Sequence, residues 1–133
     1  MKLPSSAGFL YSSPHCADED RLVPPLWVGS LLGRFARRST AGSEAVSLGI
    51  TEGGGFCLAS VRVHQARRLD RAAFSEAVAR AYRWIRTELS GRRYSHPVRL
   101  WNHIPGIHDP MEKGRDRYMV FNAGRFEALA EWF

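Results

Sequence analysis

Apolar positions along this chain change their spacing from one stretch to the next. Over "AVSLGI" they alternate, with Val46, Leu48 and Ile50 on one side. After "TEGGG" they alternate again in "FCLASVRVH", which puts Cys57, Ala59, Val61 and Val63 together. A period of two belongs to a half-buried strand, and glycine turns a chain without steric cost, so the two runs predict a β-hairpin. From Asp70 the period lengthens. Phe74, Val78, Ala81, Tyr82, Ile85 and Leu89 recur at helical spacing, Asp70 can cap the first turn and Gly91 can end the last. "HPVRLWNHI" alternates once more, with Val98, Leu100, Asn102 and Ile104 on one face and Arg99, Trp101 and His103 on the other, and predicts a strand. "PGIHD" turns out of it. Asp109 then Pro110, with Glu112 three residues after the cap, predicts a last helix that starts there or at Gly114 and runs to the C-terminus.

The chain up to about Ser43 shows no such period and is expected to be largely irregular. "VPPLWVGS" reads as a short extended piece that Pro24 and Pro25 keep out of a central sheet position, and "GRFARRSTAGSE" reads as a mobile basic loop. Hairpin, helix, strand and helix in that order describe an α+β fold: a two-layer sandwich, one antiparallel or mixed sheet with helices packed on one face. The length of 133 residues fits a single domain over 1–133. A layered unit normally sends another strand back after its last helix. The end on "EALAEWF" therefore leads us to expect part of something longer, or a partner that covers Trp132 and Phe133.

Charge narrows the partner. The formal net charge is +6, and the basic side is almost all arginine, with lysine only at Lys2 and Lys113. Arginine grips carboxylates and phosphates with a flat two-pronged fork, so the balance suits an anionic partner, although a codon bias toward arginine gives the same composition. Nucleic acid is the less favoured anion: Trp27, Trp84, Trp101 and Tyr94 supply aromatics, but no reader motif accompanies them. The chain has no apolar run of membrane-spanning length and no apolar stretch fit for a signal peptide at its start, so a cytoplasmic location is expected. Cys16 and Cys57 stand far apart and are expected to be reduced and structural.

Candidate chemistry gathers in the last quarter. On the final helix Tyr118, Asn122, Arg125 and Leu129 fall on one stripe, and Arg117, Phe121, Ala128 and Trp132 on the next. Polar groups on an apolar side need partners. Gly124 costs about 1 kcal/mol mid-helix relative to alanine, which fits a close approach by a ligand or by another segment of chain. Two arrangements satisfy the spacing. Asn102, Tyr118 and Arg125 can converge on a small hydroxylated carboxylate, or Asn102 can tie down the "IPGI" turn while Arg125 pairs with Glu127 or Glu131. His103, His108 and Asp109, even with His96 or His64, lack the spacing of a metal site. The triple glycine has no following Lys-Ser/Thr, and Cys16 beside His15 is no nucleophile elbow. Neither metal nor cofactor is expected.

The stretch "RLWNHIPGI…GRDRYMVFNAGRFEAL" resembles the chorismatase family, which includes the hydroxybenzoate synthases. Its pattern is matched at Trp101, Asn102, Pro105, Gly114, Arg117, Tyr118, Phe121, Gly124 and Arg125, with Gly106 in the turn. His108 stands where an asparagine is expected, and Arg115-Asp116 replaces Leu-Glu. The resemblance implies a RidA (YjgF)-like fold, whole or truncated, and the N-terminal domain of an enzyme about twice this length. It also implies a lyase or hydrolase reaction that takes chorismate to pyruvate plus a hydroxybenzoate or a dihydroxycyclohexadiene carboxylate. Arg125 and Tyr118 would then face the substrate, with Arg117 and Asn102 supporting the wall. The acid that protonates the enolpyruvyl group would come from a C-terminal domain, so the chain alone is expected to be inactive. Its partner would be that missing half, or further copies, since RidA-like domains often trimerise.

Overall fold

The computed structural model describes residues 25–133. They form α1 (Leu26–Leu32), β1 (Arg37–Gly42), β2 (Val46–Gly53), β3 (Phe56–Val63), α2 (Arg71–Gly91), β4 (Pro110–Glu112), β5 (Arg115–Asp116) and α3 (Arg117–Ala130). The fold is α+β. It divides into two compact units, one on residues up to Ser43 with Ser47–Arg62, the other on Glu44–Val46 with Val63–Phe133. No helix among the described residues is long and apolar enough to cross a membrane.

The first unit holds a three-stranded antiparallel sheet in the order β1-β2-β3. The expected hairpin is its β2–β3 pair, and β2 is its most buried strand, with Leu48, Gly49, Ile50 and Thr51 all inside. Gly54 and Gly55 turn the hairpin at φ 59° and 81°, values that favour glycine. The end of α1 also lies against this turn. A β-carbon on Gly53 would strike the Leu32 carbonyl, and one on Gly54 would strike that of Leu31.

Two expectations for residues 25–43 are corrected, while those for residues 1–24, Cys16 included, lie outside the described residues. The piece read as extended is α1, which buries Val28 and Leu32. Pro25 sits at its N-cap, and a helix start tolerates proline because the first N–H groups have no partner within the helix. The piece read as a basic loop contains β1, paired antiparallel to β2 with Ser39 opposite Ile50. All six of its residues are exposed, so no apolar alternation announces it. Backbone pairing to β2 makes this strand, and Arg37 and Arg38 give its edge the charge that discourages further pairing.

In the second unit α2 and α3 share one core of Phe74, Val78, Ala79, Tyr82, Val120, Phe121 and Ala128. The Asp70 carboxylate caps α2 by accepting from the Ala73 N–H at 2.8 Å, as expected. The core continues outward through Leu69, Ile104, Met111, Leu129 and Trp132. Trp132 packs against Tyr82 with ring centres 6.4 Å apart, so this unit covers much of it, while Phe133 is 92% exposed.

Two further expectations fail here. "HPVRLWNHI" forms no strand: residues 94–104 are irregular, and Val98 is 78% exposed. Alternation prepares a face, but a strand also needs a neighbour's backbone, and no described strand pairs with this stretch. The last helix starts at Arg117, not at Pro110 or Gly114. Asp109 caps no helix: its carboxylate pairs with Arg67 at 3.0 Å, and the residues after it, Pro110–Glu112, pair with Arg115–Asp116 as a short hairpin. Asp116 takes the cap, accepting from the Met119 N–H at 2.9 Å.

Candidate functional site

The start of α3 is where the turn, the short hairpin and the helix meet. The Arg117 N–H donates to the Asp109 carbonyl at 3.0 Å, and the Tyr118 N–H to the Ile107 carbonyl at 2.9 Å. Two of the free N–H groups of a helix start are thereby satisfied by the "PGIHD" turn. That turn closes on itself through the Asp109 N–H and the Gly106 carbonyl at 2.8 Å. His108 Nδ1 lies 3.3 Å from Asp116. The Asp116 carboxyl is held below the usual carboxylate range, first by the Met119 N–H and then by His108. The residues that depart from the family pattern, His108 and Asp116, thus face each other.

The buried line of α3 is Arg117, Val120, Phe121, Gly124 and Ala128. This corrects the expected placing of Tyr118, Asn122 and Arg125 on the core side. Tyr118 is 45% exposed, and Asn122 and Arg125 are half-buried beside the core line. The segment that approaches Gly124 is α2: a β-carbon there would strike the Ser75 carbonyl and crowd Val78.

Arg117 is only 4% exposed. Its guanidinium donates to the Ala66 carbonyl at 2.5 Å and lies over the Phe74 ring at 4.5 Å from the centre. Burial pushes its pKa down, Asp109 opposes that and Arg67 adds to it. Its visible work is to pin the turn before α2 to the start of α3.

Asn102 and Arg125 both act on a residue that periodicity assigned to the core, Tyr82. The Tyr82 hydroxyl donates to Asn102 Oδ1 at 2.6 Å. Burial raises the Tyr82 pKa, while the nearby Arg125 charge and the Asn102 hydrogen bond pull it down. Arg125 does not pair with Glu127 or Glu131. Arg83 of α2 takes both, at 2.8 Å and 2.9 Å. Arg125 is left without a carboxylate among the described residues. The side chain of Tyr118 makes no hydrogen bond among the described residues. Tyr82 carried one signal in the sequence, a hydroxyl among Phe74, Val78 and Ala81 that needs a partner. Trp101 stacks under Arg99, whose Cζ is 5.8 Å from the ring centre. No group of three or more His, Cys, Asp or Glu among the described residues is placed to hold a metal ion.

Arg125, half-buried, without a carboxylate partner among the described residues and near enough for its charge to act on Tyr82, has the donors that an anion needs. Residues 35–133 match the model of a family described as chorismatase FkbO/Hyg5-like, N-terminal. The chain belongs to this family. No curated protein and no solved structure matches it. The chorismatase match takes in β1 through α3, and therefore Tyr82, Asn102 and Arg125, and leaves out α1.

Proposed function

We propose that this chain supplies one wall of a chorismate-converting active site, as the N-terminal, RidA-like domain of a chorismatase. The observation that carries the reading is Arg125: a half-buried guanidinium with no carboxylate partner among the described residues, whose charge acts on the Tyr82 that bonds Asn102. Chorismate bears two carboxylates and an enol ether. A guanidinium fork would hold one carboxylate and fix the ring, the positioning part of catalysis. The reaction then needs a general acid to protonate the enolpyruvyl methylene. The resulting oxocarbenium ion is taken by water or a ring hydroxyl, and pyruvate leaves. Arg125 forms no ion pair with an acid among the described residues, and we assign the acid to a C-terminal domain. Tyr118 would reach the substrate from the exposed side of α3, with Arg117 holding the wall from within.

The test is calorimetry with chorismate, run beside a pyruvate assay. The chain should bind chorismate, release no pyruvate, and lose binding in Arg125→Ala. Pyruvate formed by the chain alone would sink the assignment of the acid elsewhere. Absence of chorismate binding would sink the reading itself.

A second reading, a non-catalytic assembly module, draws on the outer face of α3. Met119, Ala123, Phe126 and Ala130 follow at i, i+4, i+7 and i+11 and are all exposed, Met119 at 53% and Phe126 at 76%. Sedimentation would decide it: a monomer at all concentrations, with no chorismatase half bound in mixing, removes the assembly role.

A further inference from the structure

A tyrosine stands in the apolar stripe of α2 where phenylalanine would fill the same space, and the difference is one hydroxyl. Tyr82 is 5% exposed, edge-on to Phe121 and tilted to Trp132, with ring centres 6.4 Å away in each case. Burying a phenol is costly unless its O–H finds an acceptor. The acceptor is the side-chain oxygen of Asn102 at 2.6 Å, on a stretch that has no sheet to hold it.

We propose that Tyr82 is a positioning residue: by holding the oxygen of Asn102 it turns the amide N–H groups outward, so that Asn102 offers a ligand donors only and favours a carboxylate. A free carboxamide can present either its acceptor oxygen or its two donors. With the oxygen occupied, the nitrogen faces the ligand, and it has no other partner among the described residues. Arg125 also has donors and no acceptor. A carboxylate accepts from such donors with a full negative charge, which a guanidinium complements, whereas a hydroxyl accepts without charge and must place its own proton elsewhere. The Tyr82 proton is already committed to Asn102, so the phenol cannot serve as the acid. The identity of the carboxylate rests on the chorismatase reading, and the direction of the amide does not.

The test uses the full chain, with chorismate and the plain dicarboxylate malonate as probes. In nitrogen-15 spectra without ligand, the Asn102 side-chain N–H pair should lie apart from free amides and collapse toward them in Tyr82→Phe. Affinity for both probes should fall roughly fivefold to tenfold in Tyr82→Phe, as for one lost hydrogen bond. Asn102→Ala should cost a similar factor, and the double variant no more than either alone, because one substitution acts through the other. An Asn102 signal indifferent to Tyr82→Phe, or losses that multiply, would overturn the proposal. If Tyr82→Phe does not fold, Asn102→Asp replaces it: this variant still accepts from Tyr82 but offers no donor, and unchanged affinity there overturns the proposal. Malonate bound without chorismate would refute the chorismatase reading and leave the amide direction standing. Neither bound by the unaltered chain would refute both.

Discussion

The carbonyl of Ser75 in α2 occupies the place that a β-carbon on Gly124 of α3 would need. The two helices therefore meet backbone against side-chain-free backbone, with Val78 closing the contact. Gly124→Ala would gain about 1 kcal/mol in helix propensity. It would lose more, because a backbone carbonyl cannot swing aside as a side chain can. A net destabilisation of about 1–3 kcal/mol is expected, as for an overpacked core. Urea unfolding of the two proteins measures it, and Gly124→Val should be worse.

The two arginines of the chorismatase-like stretch should separate by readout. Arg117 is buried, bonded to the Ala66 carbonyl and stacked on Phe74. Arg117→Ala removes a charged donor from a buried acceptor and a cation from an aromatic face, for an expected loss of about 2–4 kcal/mol. Arg125→Ala breaks no ion pair among the described residues and should change stability by only about 0.5 kcal/mol, while chorismate binding disappears. Thermal unfolding and calorimetry on both variants check the division.

Asp116 gives the acid side of the stability profile a definite sign. Its native carboxyl is held below the ordinary range, so in acid the native state binds fewer protons than the unfolded chain. The contribution is present in full above the unfolded value and is lost as pH falls through the lower native one. Asp116→Asn keeps a capping oxygen but removes the charge and its titration. The unaltered protein should be the more stable at neutral pH, and the gap should close toward pH ~3. Denaturant midpoints at a series of pH values provide the measurement.

Arg83 clamps α2 to α3 through Glu127 and Glu131 at the surface. The same contact keeps the Glu131 carboxyl below its usual range. Exposed pairs contribute little and are screened by salt. Arg83→Gln should lower the melting temperature slightly in dilute buffer and not at all in concentrated salt. An equal effect at both ionic strengths would mean that Arg83 acts through packing of its stem.

Local patterns proved reliable where one element answered to its own residues. The β2–β3 hairpin, α2 and its Asp70 cap follow from alternation, helical spacing and a capping carboxylate, all short-range effects. The errors share a cause. Residues 96–104 alternate as a strand does, yet a strand exists only by bonding to a neighbour, and no described strand is placed beside them. β1 has the opposite history, a polar stretch drawn into a sheet because β2 presents its edge. Asp109 and Asp116 each have a capping carboxylate, and the hairpin between them decides which caps, because residues 110–116 pair as strands and leave Asp116 at the helix start.

At the candidate site, residue chemistry alone pointed to Asn102, Arg117, Tyr118 and Arg125 and asked for a close approach at Gly124. It could not name what approached, because α2 and α3 meet only in the packed unit. It placed Tyr82 in the core correctly and missed its hydroxyl's errand, since the acceptor lies 20 residues away on an irregular stretch. It offered Arg125 a partner in Glu127 or Glu131, and packing gave both to Arg83. Spacing along one helix shows which groups can be neighbours. Which of them remain unpaired, and so available to a ligand, depends on the competing groups that the rest of the chain brings in.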